Sequence, residues 1–309
     1  MFNMYSSKKY RRVYNKLTNF VLQHEPTSDK WLSDDDILGD LSKKARPHLF
    51  LDFYSEEGMR TALEQYGIFR DLNKRGFQNL IMSTDTNDPF RHKFRAYYEK
   101  QDADHLLCEA YLRKTNYVAN PVFTSKIAGQ AYSLIIIDWL MLQDPTAEFS
   151  SHRPPLPGQK YPGLRIGRKV LDIFHNMALR LKADGLLNVP EHYHNAFFYG
   201  RAFKYFNPES EGHFRAIQRD LRQIRLNKAA WGIEWGCLVE ANSAQYWPWF
   251  TDEQVYPVGN KLKSYFDSKE YKDKEEDAYQ KVKFYIDEKK FNGKLNALWD
   301  ENQPAYFGD

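Results

Sequence analysis

The sequence predicts an α/β protein in which helices flank a mixed central sheet, and three observations predict this class. First, 42% of the 309 residues are hydrophobic, which is enough to bury a full core. Second, residues 133–142 (SLIIIDWLML) form a nearly continuous apolar run, typical of a strand covered on both faces. Third, apolar residues recur with a period of 3.6 from Ile166 to Leu181, and a second short apolar run follows at 186–189. This order of strand, loop, helix and strand indicates an α/β layer structure.

Composition excludes several classes of protein. Lys+Arg 44 against Asp+Glu 41 gives a net charge of only +3, which excludes a disordered chain of high charge. No run approaches eighteen consecutive apolar residues, so we expect no membrane-spanning helix. Cys108 and Cys237 are too few for a disulfide scaffold, and the N-terminus lacks the apolar run of a signal peptide. These features predict a cytoplasmic protein.

Residues 1–45 are interpreted as a helical N-terminal extension. Basic residues alternate with tyrosines over residues 5–14, which suits either a solvated amphipathic helix or contact with nucleic acid or an acidic partner. Three consecutive acidic residues, 34–36, are expected to begin a short helix.

The central domain is expected to span residues 46–225. Its predicted strands cover 48–54, 80–83, 106–112, 133–142 and 186–189, and its predicted helices cover 55–75, 90–100, 166–181 and 192–205. Residues 116–130 are expected to form a loop or an edge strand.

Residues 226–309 are interpreted as a C-terminal extension that is aromatic and helical. We predict a strand at 231–239, an aromatic turn at 246–250 and an amphipathic helix at 261–291. The aromatic segment 231–250, or an edge strand, would suit a homodimer surface, although core packing explains these residues equally well.

The segment PGLRIGRK (162–169) predicts an anion site at the start of a helix. Free main-chain N–H groups at a helix N-terminus attract negative charge, and the glycines allow close approach of a phosphate. Gly163 and Gly167 supply the glycines, and Arg165, Arg168 and Lys169 add positive charge. Glycine near a helix start is also ordinary turn chemistry, so this pattern alone leaves phosphate binding open.

The central block resembles the GCN5-related N-acetyltransferase superfamily. In that family a strand written E-W-L-x-V precedes a pyrophosphate loop, R/Q-x-x-G-x-G/A, and the next strand leads to a helix with F-Y-x-K-x-G-F. The corresponding segments here are 138–142 (DWLML), 162–167 (PGLRIG), 186–189 (LLNV) and 198–204, across roughly residues 133–206. The sequence departs from the family pattern at Pro162, Arg165, Phe203 and Lys204.

The resemblance implies an acyl-CoA N-acyltransferase-like fold and transfer of an acyl group from acyl-CoA or acetyl-CoA to an amine of a small molecule or peptide. Asp138, the one charge in an apolar strand, would be the base, and Tyr199 would be the acid. The donor would be held by Leu140, Met141, Leu142, Gly163, Arg165, Ile166, Gly167, Arg168, Lys169 and Asn195. An Asp138 paired with a neighbouring arginine, and a Tyr199 buried in the core, are the structural alternatives.

His192 and His194 are expected to border the acceptor pocket rather than bind a metal. They lie two residues apart and do not share a helix face, so we expect no metal site.

Two rival functions stay open. The changed loop suits an acyl-carrier-protein donor, as in an N-acyl amino acid synthase-like enzyme, and the fold could also serve as a non-catalytic binding protein.

Overall fold

The computed structural model describes residues 8–23, 49–119 and 129–298. Its strands are β1 Leu80–Asp85, β2 His92–Tyr98, β3 Leu106–Val118, β4 Ala131–Leu142, β5 Gly185–Asn188, β6 Lys204–Tyr205, β7 Leu238–Glu240, β8 Gln245–Tyr246, β9 Gln254–Pro257 and β10 Phe284–Ile286. Its helices are α1 Lys8–Lys16, α2 Asn19–Gln23, α3 Glu56–Tyr66, α4 Ile68–Asn73, α5 Gly167–Arg180, α6 Tyr193–Tyr199, α7 Pro208–Asp220, α8 Leu226–Glu234, α9 Asn260–Phe266, α10 Lys269–Lys281 and α11 Glu288–Leu298, with a short 3₁₀ helix at Ala103–His105.

A seven-stranded mixed sheet forms the centre, in the order β1-β2-β3-β4-β5-β9-β6. Strands β1 to β4 pair antiparallel, β4 and β5 pair parallel, and β9 pairs antiparallel with both β5 and β6. A second sheet has the order β10-β7-β8. The predicted mixed α/β sheet flanked by helices is therefore confirmed, as are the strands at 80–83, 106–112, 133–142 and 186–189 and the helix after residue 166.

The helix predicted over residues 90–100 is wrong, because this segment is β2. Phe94 and Tyr98 pack against the first core cluster, Ala96 between them is buried, and the segment pairs with β1 on one side and β3 on the other. Because β2 has a neighbouring strand on each edge, its main-chain N–H and C=O groups form hydrogen bonds on both sides. This pairing outweighs the helical spacing of the apolar residues in the local sequence.

Two other predicted strands are also wrong. Of the strand predicted over 48–54, the described residues 49–54 contain a tight turn in which Leu51 and Asp52 have positive φ, closed by hydrogen bonds between the main chains of Phe50 and Tyr54. The first four residues of 231–239 belong to α8, which ends just before Gly236 adopts a φ of 67° and the Cys237 N–H donates to the Gly232 carbonyl. Glycine in the left-handed region ends the helix and leaves only the last residues to form β7.

The C-terminal segments are more divided than the sequence predicts. The helix expected at 261–291 is split into α9, α10, β10 and the start of α11, and Ser268 caps the start of α10. The helix expected at 192–205 ends at Tyr199, and β6 follows. Strand β9 comes from the segment interpreted as an extension, yet it lies between β5 and β6 in the central sheet.

The core consists of three clusters. The first lies between β1–β5 and helices α1 to α5 and includes Tyr10, Leu17 and Leu22 of the N-terminal segment. The second surrounds α6 to α8 and the small sheet, and the third covers the opposite face of β4, β5 and β9.

The helix predicted at 34–36 lies outside the described residues. None of the helices in the described part is long and apolar enough to cross a bilayer.

Candidate functional site

Strand β4 carries a β-bulge at Asp138. Trp139 is in register with Tyr111 of β3, and Ile137 is in register with Leu112, so Asp138 is the extra residue between them. A bulge of this kind shifts the alternation of side chains along one strand. As a result Leu140 and Leu142 pack against the same core cluster as Ile137.

Beyond the bulge, β4 and β5 separate. The parallel pairing extends only from Leu134 to Ile137, although β4 continues to Leu142. At the end of β4 the loop returns, because the Leu164 N–H donates to the Leu142 carbonyl at 3.2 Å. Within the described chain, the edge of β4 from Asp138 to Met141 therefore has no neighbouring strand on the β5 side. Unpaired main-chain groups on such an edge can bind an extended ligand that carries amides.

The loop after β4 delivers several main-chain N–H groups to the start of α5. Leu164 and Ile166 are buried, and Arg165 between them is exposed in the left-handed region with a φ of 55°. Ile166 occupies the N-cap position of α5 without a side-chain cap. The first N–H groups of this fourteen-residue helix consequently have no side chain of their own cap residue to bond, which suits an anion.

Arginines from three separate segments converge on this loop. The guanidinium of Arg75 donates to the Leu164 carbonyl, and that of Arg153 donates to the Gly163 carbonyl. Burial lowers the pKa of Arg153, and the charges of Arg165 and Arg75 lower it further, whereas the carboxylate of Asp144 raises it, so three cations and one carboxylate lie near one another. In the described chain none of these three arginines forms an ion pair with a carboxylate. The excess positive charge favours a ligand with several negative charges.

The other basic residues of the predicted anion site differ from one another. Lys169 is bonded to Asp71 of α4 and so fixes α5 against α4. Arg168 is exposed on the first turn of α5. Of the predicted basic residues, Arg165 and Arg168 are therefore exposed, and the Arg168 charge acts on Asp172 one turn further along α5, whereas Lys169 is ion-paired with Asp71.

Asp138 is ion-paired with Arg113 of β3. The Arg113 Nε lies 3.1 and 3.0 Å from the two carboxylate oxygens, and Arg91 is more distant at 3.9 Å. The Asp138 side chain is 20% exposed. The main chain of Asp138 is more exposed than its side chain, because the bulge brings it to the surface. The structural alternative of an arginine partner thus applies, yet the carboxylate remains accessible.

Asp138 opens onto a cleft of about 540 Å³, which we call the acidic cleft. The charged residues that line it are Arg113, Asp138, Glu191 and Glu253. Burial raises the pKa of Glu253, whose carboxylate accepts a hydrogen bond from the Tyr117 hydroxyl. Three carboxylates against one arginine make the cleft suitable for a cationic or amine ligand.

Tyr199 lies on α6, half-buried against the first core cluster, with its ring 5.2 Å from that of Phe203. Burial raises its pKa above the ordinary value for a phenol, so the hydroxyl keeps its proton. Tyr199 packs with residues on the α5 face of the sheet, whereas the acidic cleft is lined by Ile136 and Leu187 of the opposite face. The structure does not place Asp138 and Tyr199 in one cavity.

His192 and His194 stack on each other, with ring centroids 5.4 Å apart. His192 Nδ1 lies 2.9 Å from a carboxylate oxygen of Glu234, and Asn195 is half-buried in the following turn. Burial, aided by His192, lowers the pKa of His194 to about 3 and keeps that ring neutral. Over the described residues, no group of three or more His, Cys, Asp or Glu is arranged to hold a metal ion.

A row of buried polar side chains crosses the ends of β5, β9 and β6. Asn188 is in register with Gln254, and Gln254 is in register with Tyr205, so their side chains share one face of the sheet. Each has a buried polar atom that makes no hydrogen bond with the described residues: Asn188 Oδ1, both amide ends of Gln254, and the Tyr205 hydroxyl. Such groups are costly without a partner. The row begins beside Ile137, where β4 and β5 separate.

A second cavity, the apolar cavity, encloses about 110 Å³ between β2–β4 and helices α2 to α5. Its walls include Met59, Leu63, Leu72, Ala96, Cys108, Ala110, Leu112, Leu140, Leu142, Leu164, Ile166 and Ile173. Burial raises the pKa of the Cys108 thiol to about 12, which makes it inert as a nucleophile. An unfilled volume of this size would cost about 2–3 kcal/mol of stability, and native cores rarely retain one.

Sequence reasoning missed Arg75, Arg153 and the Asn188–Gln254 pair. Arg75 reaches the loop from 89 residues away in the chain, so no local motif could indicate it, and Arg153 lies in the same loop but ten residues before the glycine that it bonds. A polar residue at the end of an apolar strand, as in LLNV, was the one signal that could have indicated Asn188.

A scan of the chain against protein-family models finds no match, and a search of curated proteins finds none either.

Proposed function

We propose that the protein is an N-acyltransferase that moves an acyl group from an acyl thioester to an amine. The observation that carries the proposal is the open edge of β4, which begins at the bulge and ends at the cationic loop before α5. This arrangement supports the finer fold expectation, an acyl-CoA N-acyltransferase-like fold. In the family that the sequence resembles, the donor binds along the corresponding strand and loop.

The donor's pyrophosphate would lie at the start of α5, bound by main-chain N–H groups around Arg165 to Arg168. The cations of Arg75, Arg153 and Arg165 would attract it. The amides of its pantetheine arm would bond the free main-chain groups between Asp138 and Met141. Asn188 offers a further buried acceptor where the two strands separate.

The acceptor amine would approach through the acidic cleft. Its nitrogen attacks the thioester carbonyl carbon, the C–N bond forms, and the C–S bond breaks as the tetrahedral intermediate collapses. Asp138 accepts the proton released by the amine, either directly or through water, while Arg113 orients its carboxylate. The products are an amide and a free thiol, so atoms and charges balance.

Tyr199 would supply the proton to the leaving thiolate from the opposite side of the sheet. A phenol that burial keeps protonated can act as a donor. Tyr199 lies outside both cavities, so this role requires the leaving thiolate to reach the α5 face of the sheet.

The donor is either acyl-CoA or an acylated carrier protein. The cluster of arginines suits both, because the phosphate of a carrier-bound pantetheine arm and the pyrophosphate of CoA are both anions. Titration calorimetry of the full chain with CoA, acetyl-CoA and an acylated carrier protein separates the two donors.

We expect CoA binding to weaken about 100-fold in a variant with Arg165→Glu and Arg168→Glu, because two charge-assisted contacts become repulsive. The control carries Arg222→Glu and Lys272→Glu, two exposed cations elsewhere, and should bind as the wild type does. Binding of the carrier protein alone would assign the donor to it. Binding of neither donor by a folded protein contradicts the proposal.

A non-catalytic binding protein is the second candidate function. The observations that favour it are the Arg113–Asp138 ion pair and the position of Tyr199 outside both cavities. An N-acyltransferase releases free thiol from a bound thioester when an amine is added, whereas a non-catalytic binding protein does not.

A further inference from the structure

The apolar cavity adjoins the proposed donor site through two of its walls. Leu140 stands on the open part of β4 and Leu142 at its end, and Leu164 and Ile166 belong to the loop before α5. The same short segments therefore contribute main-chain groups to the donor edge and side chains to the cavity.

The lining of the cavity is mostly apolar, with Asn176 and three tyrosines among its polar members. Leu107, Ala110 and Leu112 of β3 are at most 2% exposed, and Leu164 is fully buried. In the described chain the charged member of the lining is Arg180, at the far end of α5 from the loop. Its guanidinium is already bonded to the Asn19 side chain and the Tyr14 carbonyl, both at 2.8 Å. A ligand with charge along its length would leave that charge buried and unpaired.

The lining of the cavity follows the whole length of α5, from Ile166 at its N-cap to Arg180 in its last turn. A cavity of 110 Å³ is smaller than an engineered cavity of about 150 Å³ that holds benzene, so it would contain about four saturated carbons of an acyl chain.

We propose that the apolar cavity receives the hydrocarbon chain of a medium-chain acyl thioester. The inference rests on the proposed function and names the class of donor: an acyl group longer than acetyl. The thioester lies at the open edge of β4, and its chain passes between Leu140 and Ile166 into the cavity.

The test is the affinity of the full chain for acetyl-, butyryl-, hexanoyl-, octanoyl- and dodecanoyl-CoA, measured by titration calorimetry. Each methylene that enters the cavity should strengthen binding about fourfold, until the cavity is full and the affinity becomes constant. Equal affinity across the series, with CoA itself bound, overturns the inference and leaves the proposed function intact.

Two variants narrow the cavity from its floor, Ala96→Leu and Ala110→Leu. In either, the ratio of octanoyl-CoA to acetyl-CoA affinity should fall at least tenfold, because about two methylenes or more are excluded. Ala131→Leu, at an exposed position of β4, is the matched control and should keep the wild-type ratio. An unchanged ratio in both folded cavity variants overturns the inference.

A separate measurement tests the cavity even when the protein does not bind CoA or the cavity variants do not fold. Octanoic acid, which lacks the nucleotide, should raise the Tm of the wild-type protein, and butyric acid at the same concentration should not. Stabilisation by octanoic acid without any CoA binding would support the cavity and reject CoA as donor. The absence of any effect of octanoic acid, together with a flat acyl-CoA series, overturns the inference.

Discussion

Buried ionisable side chains at single positions link the stability of this protein to pH. Glu211 on α7 is 6% exposed, and its carboxylate accepts a hydrogen bond from the Tyr205 N–H at 2.8 Å. Burial raises its pKa to about 7, although Lys204 and the Tyr205 N–H act in the other direction. The folded protein therefore holds a proton on Glu211 at pH values at which the unfolded chain has released it.

The consequence is a pH-dependent effect of Glu211→Gln. As the pH rises from about 4.5 to about 7, the wild type loses stability, because the unfolded chain ionises first. Gln does not titrate, so the free energy of unfolding of the variant, relative to wild type, should rise by up to about 3 kcal/mol over that window. Urea denaturation at pH 5 and pH 7.5 measures this difference. Glu64→Gln, at an exposed position of α3, is the control and should show no such pH dependence. The prediction is contradicted when the difference in free energy of unfolding between Glu211→Gln and the wild type is the same at both pH values.

Helices α7 and α10 pack unusually closely, and a glycine permits it. A Cβ on Gly212 would meet the main-chain oxygen of Glu275 and would lie 2.7 Å from the Cβ of Ala278. Gly293, also inside a helix, has open space at the same position. The two helix glycines thus differ in packing while sharing the same low helix propensity.

Gly212→Ala and Gly293→Ala should consequently have opposite effects. At Gly212 the main chain of α10 cannot yield, and we expect a loss of about 1–3 kcal/mol in the free energy of unfolding from overpacking. At Gly293 the better helix propensity of alanine should add about 0.5–1 kcal/mol. Chemical denaturation of both variants checks the pair. Similar effects at the two positions would mean that α7 and α10 are not in close contact.

For the whole molecule, the sequence predicts the centre of the sheet better than its borders. The apolar run at 133–142 and the periodic helix after it are local patterns, and both are confirmed. Strand β2 and the insertion of β9 depend on partners far away in the chain, which no window of sequence contains. The sequence indicates the loop glycines, whereas Arg75 reaches the loop only after folding, and Arg153 bonds Gly163 only because the loop folds back on itself.

The central claim is that the gap between β4 and β5 is a site of acyl transfer in which Asp138 is the base. Its most direct test is amine-dependent release of free thiol from octanoyl-CoA, followed with a panel of primary amines. We expect release by the wild type and a rate about 10²- to 10⁴-fold lower in Asp138→Asn. Glu109→Gln, whose carboxylate is likewise paired with an arginine of a neighbouring strand, should retain the wild-type rate. Thioester binding without amine-dependent release, or equal rates in the wild type and Asp138→Asn, would contradict the account.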